Sequence, residues 1–83
     1  RSFLSQESPL IAKLHQAWRL KSLTHLVSPR ASDLHYSTVV SLSEEDFGKI
    51  REILVKSIAG ARETIRKSKE EKLCSFCVDF YEL

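Results

Sequence analysis

Methionine is absent from this 83-residue sequence, and glycine, proline and cysteine occur only twice each. The sequence also has no low-complexity segment, no internal repeat and no apolar run near the roughly 18 residues of a membrane span. It carries no secretory signal with a basic start, an apolar centre and a small-residue cleavage site. We therefore expect a cytoplasmic protein that makes no membrane contact and keeps its two cysteines as reduced thiols.

An excess of one charge sign is also missing, since 13 Lys and Arg residues stand beside 11 Asp and Glu residues. A dedicated nucleic-acid-binding domain usually concentrates its bases on one surface, and the totals indicate no such bias. At this length residues 1–83 form one domain at most. Because the sequence starts at Arg1 without a methionine, we expect a piece of a longer protein, with residues 1–7 as a lead-in.

A first helix is predicted over residues 8–28. Ser8 followed by Pro9 is a typical helix start, because serine caps free N–H groups and proline suits the first helical position. One apolar stripe fills the first turns of this helix, and Leu20, Leu23 and Val27 form a second stripe on a different side. Either the helix is buried on two sides, or it bends or breaks near Lys21.

Residues 35–83 are predicted to form a strand, a long helix and a second strand. Residues 35–42 and 73–83 show the period of two that is typical of strands. Between them, a serine followed three residues later by an acid marks a helix start at Ser43, and the helix extends to about Ser68. The predicted fold class is α/β, a small two-layer helix-strand-helix-strand module with a parallel, right-handed βαβ unit.

Two strands bury too little surface to stand alone, so we expect a second copy or missing upstream residues to complete the sheet. The long helix has one continuous apolar stripe at spacings of three and four. Its members are Phe47, Ile50, Leu54, Ile58, Ala61 and Ile65. We expect this stripe to cover the face of the last strand that carries Cys74, Phe76, Val78 and Phe80.

Cys74 and Cys77 are the one pair of residues in this sequence whose spacing is compatible with metal binding or redox chemistry. Such a pair needs a tight turn or a helix N-terminus to bring its sulfurs together. In a strand the alternation sends the two sulfurs to opposite faces, and His15, His25 and His35 have no metal-ligand spacing. We predict no metal, no cofactor, no catalytic residues and therefore no enzyme.

A DNA-binding interpretation depends on the bases Lys13, Arg19, Lys21 and Arg30. A helix-turn-helix needs two short helices joined by a tight turn. Here a strand rather than a helix is expected after Pro29. Direct contact between these residues and DNA is therefore the weaker hypothesis.

The segment from Tyr36 to Leu83 resembles a known family. Residues 37–47 read Ser-Thr-Val-Val-Ser-Leu-Ser-Glu-Glu-Asp-Phe, which is similar to that family's strand running into "Leu-Ser-Glu-Glu-Asp". A long amphipathic helix follows in the family, and Phe76 begins a stretch similar to its closing strand. The family consists of bacterial proteins regarded as transcriptional regulators, with a helix-turn-helix-like N-terminal region and a C-terminal domain of unknown function. The resemblance implies that this chain is the end of that C-terminal domain.

The function predicted from the sequence is a dimerisation or regulatory domain of a bacterial transcription regulator. The expected partner is a second copy, and the resemblance implies DNA contact only through a missing N-terminal region, with an unknown effector. Apolar side chains that the internal core does not claim would form the interface. They are Trp18, Leu23, Val27, Tyr81 and Leu83. The alternative is a small-molecule or metal sensor that uses Cys74 or Cys77 and a histidine.

Overall fold

The computed structural model describes residues 8–83, so the predicted lead-in at residues 1–7 lies outside the described part of the chain. Within that part there are two helices, α1 at Pro9–Val27 and α2 at Glu44–Lys67. The chain divides into two units. Of the described residues, the first unit contains 8–36 and 75–78, and the second contains 37–74 and 79–83. The single domain predicted for residues 1–83 stays a prediction.

Helix α1 begins where the sequence predicts it. The Oγ of Ser8 accepts a hydrogen bond from the backbone N–H of Leu10 at 3.2 Å, and Pro9 occupies the first helical turn. The helix continues to Val27, so it does not break near Lys21. The other interpretation offered by the sequence, burial on two sides, does not hold either, because no residue of α1 is buried.

The loop after α1 is closed by Arg30 and Asp33. The backbone N–H of Asp33 donates to the carbonyl oxygen of Arg30 at 3.0 Å, and the N–H of Arg30 donates to Oδ2 of Asp33 at 2.9 Å. This second bond, helped by the nearby Arg30, His25 and His35, holds the pKa of the Asp33 carboxyl below its ordinary value. The carboxylate is therefore the form that closes the loop.

Helix α2 also has the predicted bounds. The Oγ of Ser43 accepts a hydrogen bond from the N–H of Asp46 at 3.0 Å, and three acids fill the first turn. Lys67 ends the helix, with Arg66 beside it in the last turn. Acids near the start of a helix and bases near its end both interact favourably with the helix dipole and so stabilise the helix. Local sequence signals alone thus determine both ends of α2.

The apolar stripe of α2 is partly covered. Four of its six members are half-buried, namely Phe47, Leu54, Ile58 and Ala61. The ring of Phe80 stacks on the ring of Phe47, with centroids 4.7 Å apart and planes 23° from parallel. This contact fixes the end of the chain against the first turn of α2.

The predicted α/β fold class is wrong. Residues 8–83 contain no strand, so the two-layer module, the βαβ unit and the incomplete sheet are all absent from the described chain. Residues 35–42 and 73–83 lie outside the helices and form no ladder of backbone hydrogen bonds with each other. Alternation predicts which way the side chains of an extended segment point, but a strand also needs a partner for its N–H and C=O groups.

The predicted coverage of residues 74–80 by α2 holds only in part. Phe80 stacks on Phe47 of the stripe, whereas the side chains of Cys74 and Phe76 are exposed. No side chain of the described residues is fully buried. The described residues are therefore an all-helical small fold that leaves much of its apolar surface in water.

Replacing Ser43 with alanine is expected to destabilise α2 by about 1 kcal/mol, because the N–H of Asp46 loses its acceptor. Urea unfolding followed by far-ultraviolet circular dichroism measures the change. Ser41→Ala is the matched control, since the same atoms are removed two residues earlier from an exposed side chain outside the helix. Equal losses in the two variants would contradict the capping role of Ser43.

Candidate functional site

A ridge of three exposed apolar side chains runs along the second half of α1. We call Leu20, Leu23 and Val27 the α1 ridge; their exposed fractions are 65%, 55% and 86%. The spacings of three and four residues place them on one side of the helix, since each residue turns the helix by about 100°. No other described residue of the first unit covers them enough to bury them.

The opposite side of α1 is the side that is partly covered. Ile11, Ser22 and His25 are half-buried there. Arg19 Nη2 donates to the carbonyl oxygen of Val78 at 3.1 Å, and Arg19 Nη1 donates to the carbonyl oxygen of His15 at 3.3 Å. One guanidinium group thus attaches residues 75–78 to α1. Arg19 lies four residues before Leu23 and so flanks the α1 ridge rather than lying opposite to it. The ridge itself is left in water.

The five residues predicted for an interface are all exposed. Leu23 and Val27 lie one turn apart on the α1 ridge, whereas Trp18, 52% exposed, lies about 140° around the helix from Leu23. Tyr81 and Leu83 are 69% and 90% exposed and belong to the second unit. Within the first unit, the structure therefore brings together two of the three predicted interface residues.

The sequence prediction omitted Leu20 from the interface, although the residue continues the same ridge. Its spacing from Leu23 and Val27 was the signal that could have included it. Periodicity assigns a residue to a side of a helix, but it does not say which of two apolar sides the rest of the chain covers. The half-burial of Ile11, Ser22 and His25 in the structure shows which side that is.

A second exposed patch, made of one acid and two apolar residues, lies on the first half of α2. We call Asp46, Ile50 and Ile53 the α2 patch; Ile50 and Ile53 are 37% and 57% exposed. Asp46 Oδ1 lies 3.8 Å from Lys49 Nζ, and both side chains are mostly in solvent. Exposed pairs of this length contribute little to stability, so Asp46 loses little by changing partner.

The cysteines and histidines do not form a centre that resembles a metal site. Cys74 is exposed and Cys77 is half-buried, and the Sγ of Cys77 lies 3.6 Å from the Oγ of Ser75. Within residues 8–83 no three side chains of His, Cys, Asp or Glu come together in a way that could hold a metal ion. The geometry of the described residues thus offers no support for the sensor alternative.

Comparisons with known proteins give no further guide. No protein-family model, curated protein or solved structure matches this chain. The resemblance of residues 36–83 to bacterial regulators therefore stays a prediction. Neither α1 nor α2 is long and apolar enough to cross a membrane. The cytoplasmic location predicted from the sequence is likewise still a prediction.

Proposed function

We propose that this chain is a non-catalytic association module that pairs with a second copy of itself as part of a bacterial transcription regulator. The observation that carries the proposal is the exposure of large apolar side chains in a chain whose described residues bury none completely. Surfaces of this kind usually mark interaction sites. Burying one leucine or valine side chain stabilises an assembly by about 1.5–3 kcal/mol.

The magnitude of this effect supports dimerisation of moderate strength. Three such side chains, Leu20, Leu23 and Val27, are available on each copy in the α1 ridge. Part of the gain is lost to the entropy of association. We therefore expect a dissociation constant in the micromolar range. A dissociation constant of about 1 µM corresponds to a free energy of association on the order of −8 kcal/mol.

The regulatory context comes from the resemblance of Ser37–Phe47 to the regulator family. Regulators that read paired half-sites are commonly dimers, because a twofold-symmetric reader matches a twofold-symmetric site. In this proposal DNA is bound by the upstream region of the regulator and not by the described helices. The module holds two such regions together.

Light scattering of the chain in reductant tests the proposal. We expect the mass of two chains at high concentration and a shift towards one chain on dilution to roughly 1 µM. Reductant excludes a disulfide through Cys74 as the cause of pairing. A helical chain that keeps the mass of a single copy over the whole concentration range would refute dimerisation.

A further inference from the structure

On each helix, three residues spaced seven apart lie along one line parallel to the helix axis. The first residue of each line is charged and the second is an exposed apolar residue. On α1 this line is Lys13, Leu20 and Val27. Seven residues advance a helix by about 10.5 Å and return nearly to the same side. The exposed side of α1 is therefore basic near its N-terminal end and apolar near its C-terminal end.

The corresponding line on α2 consists of Asp46, Ile53 and Gly60. It begins with an acid, and its apolar residue follows after the same interval of about 10.5 Å. A Cβ atom built at Gly60 meets no atom within 4 Å, so the third position is open space in a single copy. The two lines have the same spacing, opposite charge at their first position and a large residue opposite a small one at their third.

The charges of α1 decide against its pairing with itself. The helix contains Lys13, Arg19 and Lys21 and no Asp or Glu. Two copies of α1 side by side would bring bases towards bases. The first half of α2, residues 44–55, contains four acids and two bases and therefore complements α1.

We propose that in the dimer α1 of one copy lies parallel to α2 of the other copy. Lys13 then faces the partner's Asp46, Leu20 packs on the partner's Ile53, and Val27 lies over the partner's Gly60. The direction is parallel because the charged residue comes first on both helices. Twofold symmetry relates this contact to an identical one in which the two copies exchange roles. This inference rests on the proposed dimerisation.

Charge reversal at the two facing positions tests the pairing. Lys13→Glu alone and Asp46→Lys alone should each weaken dimerisation about 10-fold, because each places like charges together in both symmetric contacts. The chain with both reversals restores opposite charges and should recover most of the wild-type affinity. Sedimentation equilibrium at low salt measures the three dissociation constants, and circular dichroism checks that the helices persist.

Two matched controls separate the contact from general effects of charge. Lys21→Glu makes the same change about 100° around α1 from the line of Lys13 and Leu20. Glu45→Lys makes the same change in the first turn of α2; it also loses an ion pair with Lys49, at 3.6 Å, and the same helix-dipole term. Both controls should leave the dissociation constant within about 2-fold of the wild type.

The glycines provide a test that does not depend on charge. Gly60→Leu should favour helix formation in one copy, where there is room, and yet weaken the dimer because the partner's Val27 needs that space. Gly48→Leu, equally open but on another side of α2, should not weaken it. A wild-type monomer would refute dimerisation and this pairing together. A dimer indifferent to Gly60→Leu and to both charge reversals would refute the pairing alone.

Discussion

Phe80→Ala is expected to lower the free energy of unfolding by about 2 kcal/mol. The ring of Phe80 stacks on Phe47 with centroids 4.7 Å apart, and both side chains are half-buried. Aromatic pairs contribute about 0.5–1.5 kcal/mol beyond the area that they bury. Removal of a half-covered phenyl ring costs a similar amount again through lost apolar burial. Urea unfolding at a fixed protein concentration measures the sum.

Two further variants separate ring stacking from burial. Phe80→Leu keeps most of the apolar area and should lose only about 1 kcal/mol. Phe76→Ala removes the same ring from a position that is 55% exposed, so its loss should be clearly smaller than that of Phe80→Ala. If Phe76→Ala and Phe80→Ala were equally destabilising, the stacked pair would not be what attaches the end of the chain to α2.

The bounds of both helices could be predicted from the sequence because the signals are local. Ser8 and Ser43 cap the residues that immediately follow them, and both caps are present. The stripe of α2 was likewise predictable from spacing alone, and four of its six members are half-buried, with Phe47 stacked on Phe80. Contacts between residues a few positions apart require no knowledge of the rest of the fold.

The absence of strands from residues 8–83 could not be foreseen from the sequence, because a strand is defined by a partner that is distant in sequence. Residues 35–42 have the composition of a strand, but they find no ladder partner among the described residues. The candidate interface shows the same limit. Leu23 and Val27 were identified from leftover apolar character, yet Leu20 was omitted, because only the half-burial of Ile11, Ser22 and His25 in the structure reveals which side of α1 is covered.

Leu23→Glu is expected to weaken dimerisation at least 100-fold. Leu23 is the middle residue of the α1 ridge, flanked one turn away on each side by Leu20 and Val27. The variant loses about 1.5–3 kcal/mol of apolar burial and places a carboxylate among apolar groups. A total near 3 kcal/mol corresponds to about a 100-fold rise in the dissociation constant. Light scattering over a dilution series measures it.

Leu34→Glu is the matched control for this variant. Leu34 is 92% exposed and lies in the loop after α1, so the same change of side chain occurs away from the ridge. Its dissociation constant should stay close to that of the wild type. Circular dichroism of Leu23→Glu should still show α1, because leucine and glutamate have similar helix propensities. Loss of dimer without loss of helix would assign the effect to the α1 ridge, whereas equal weakening by both variants would contradict that assignment.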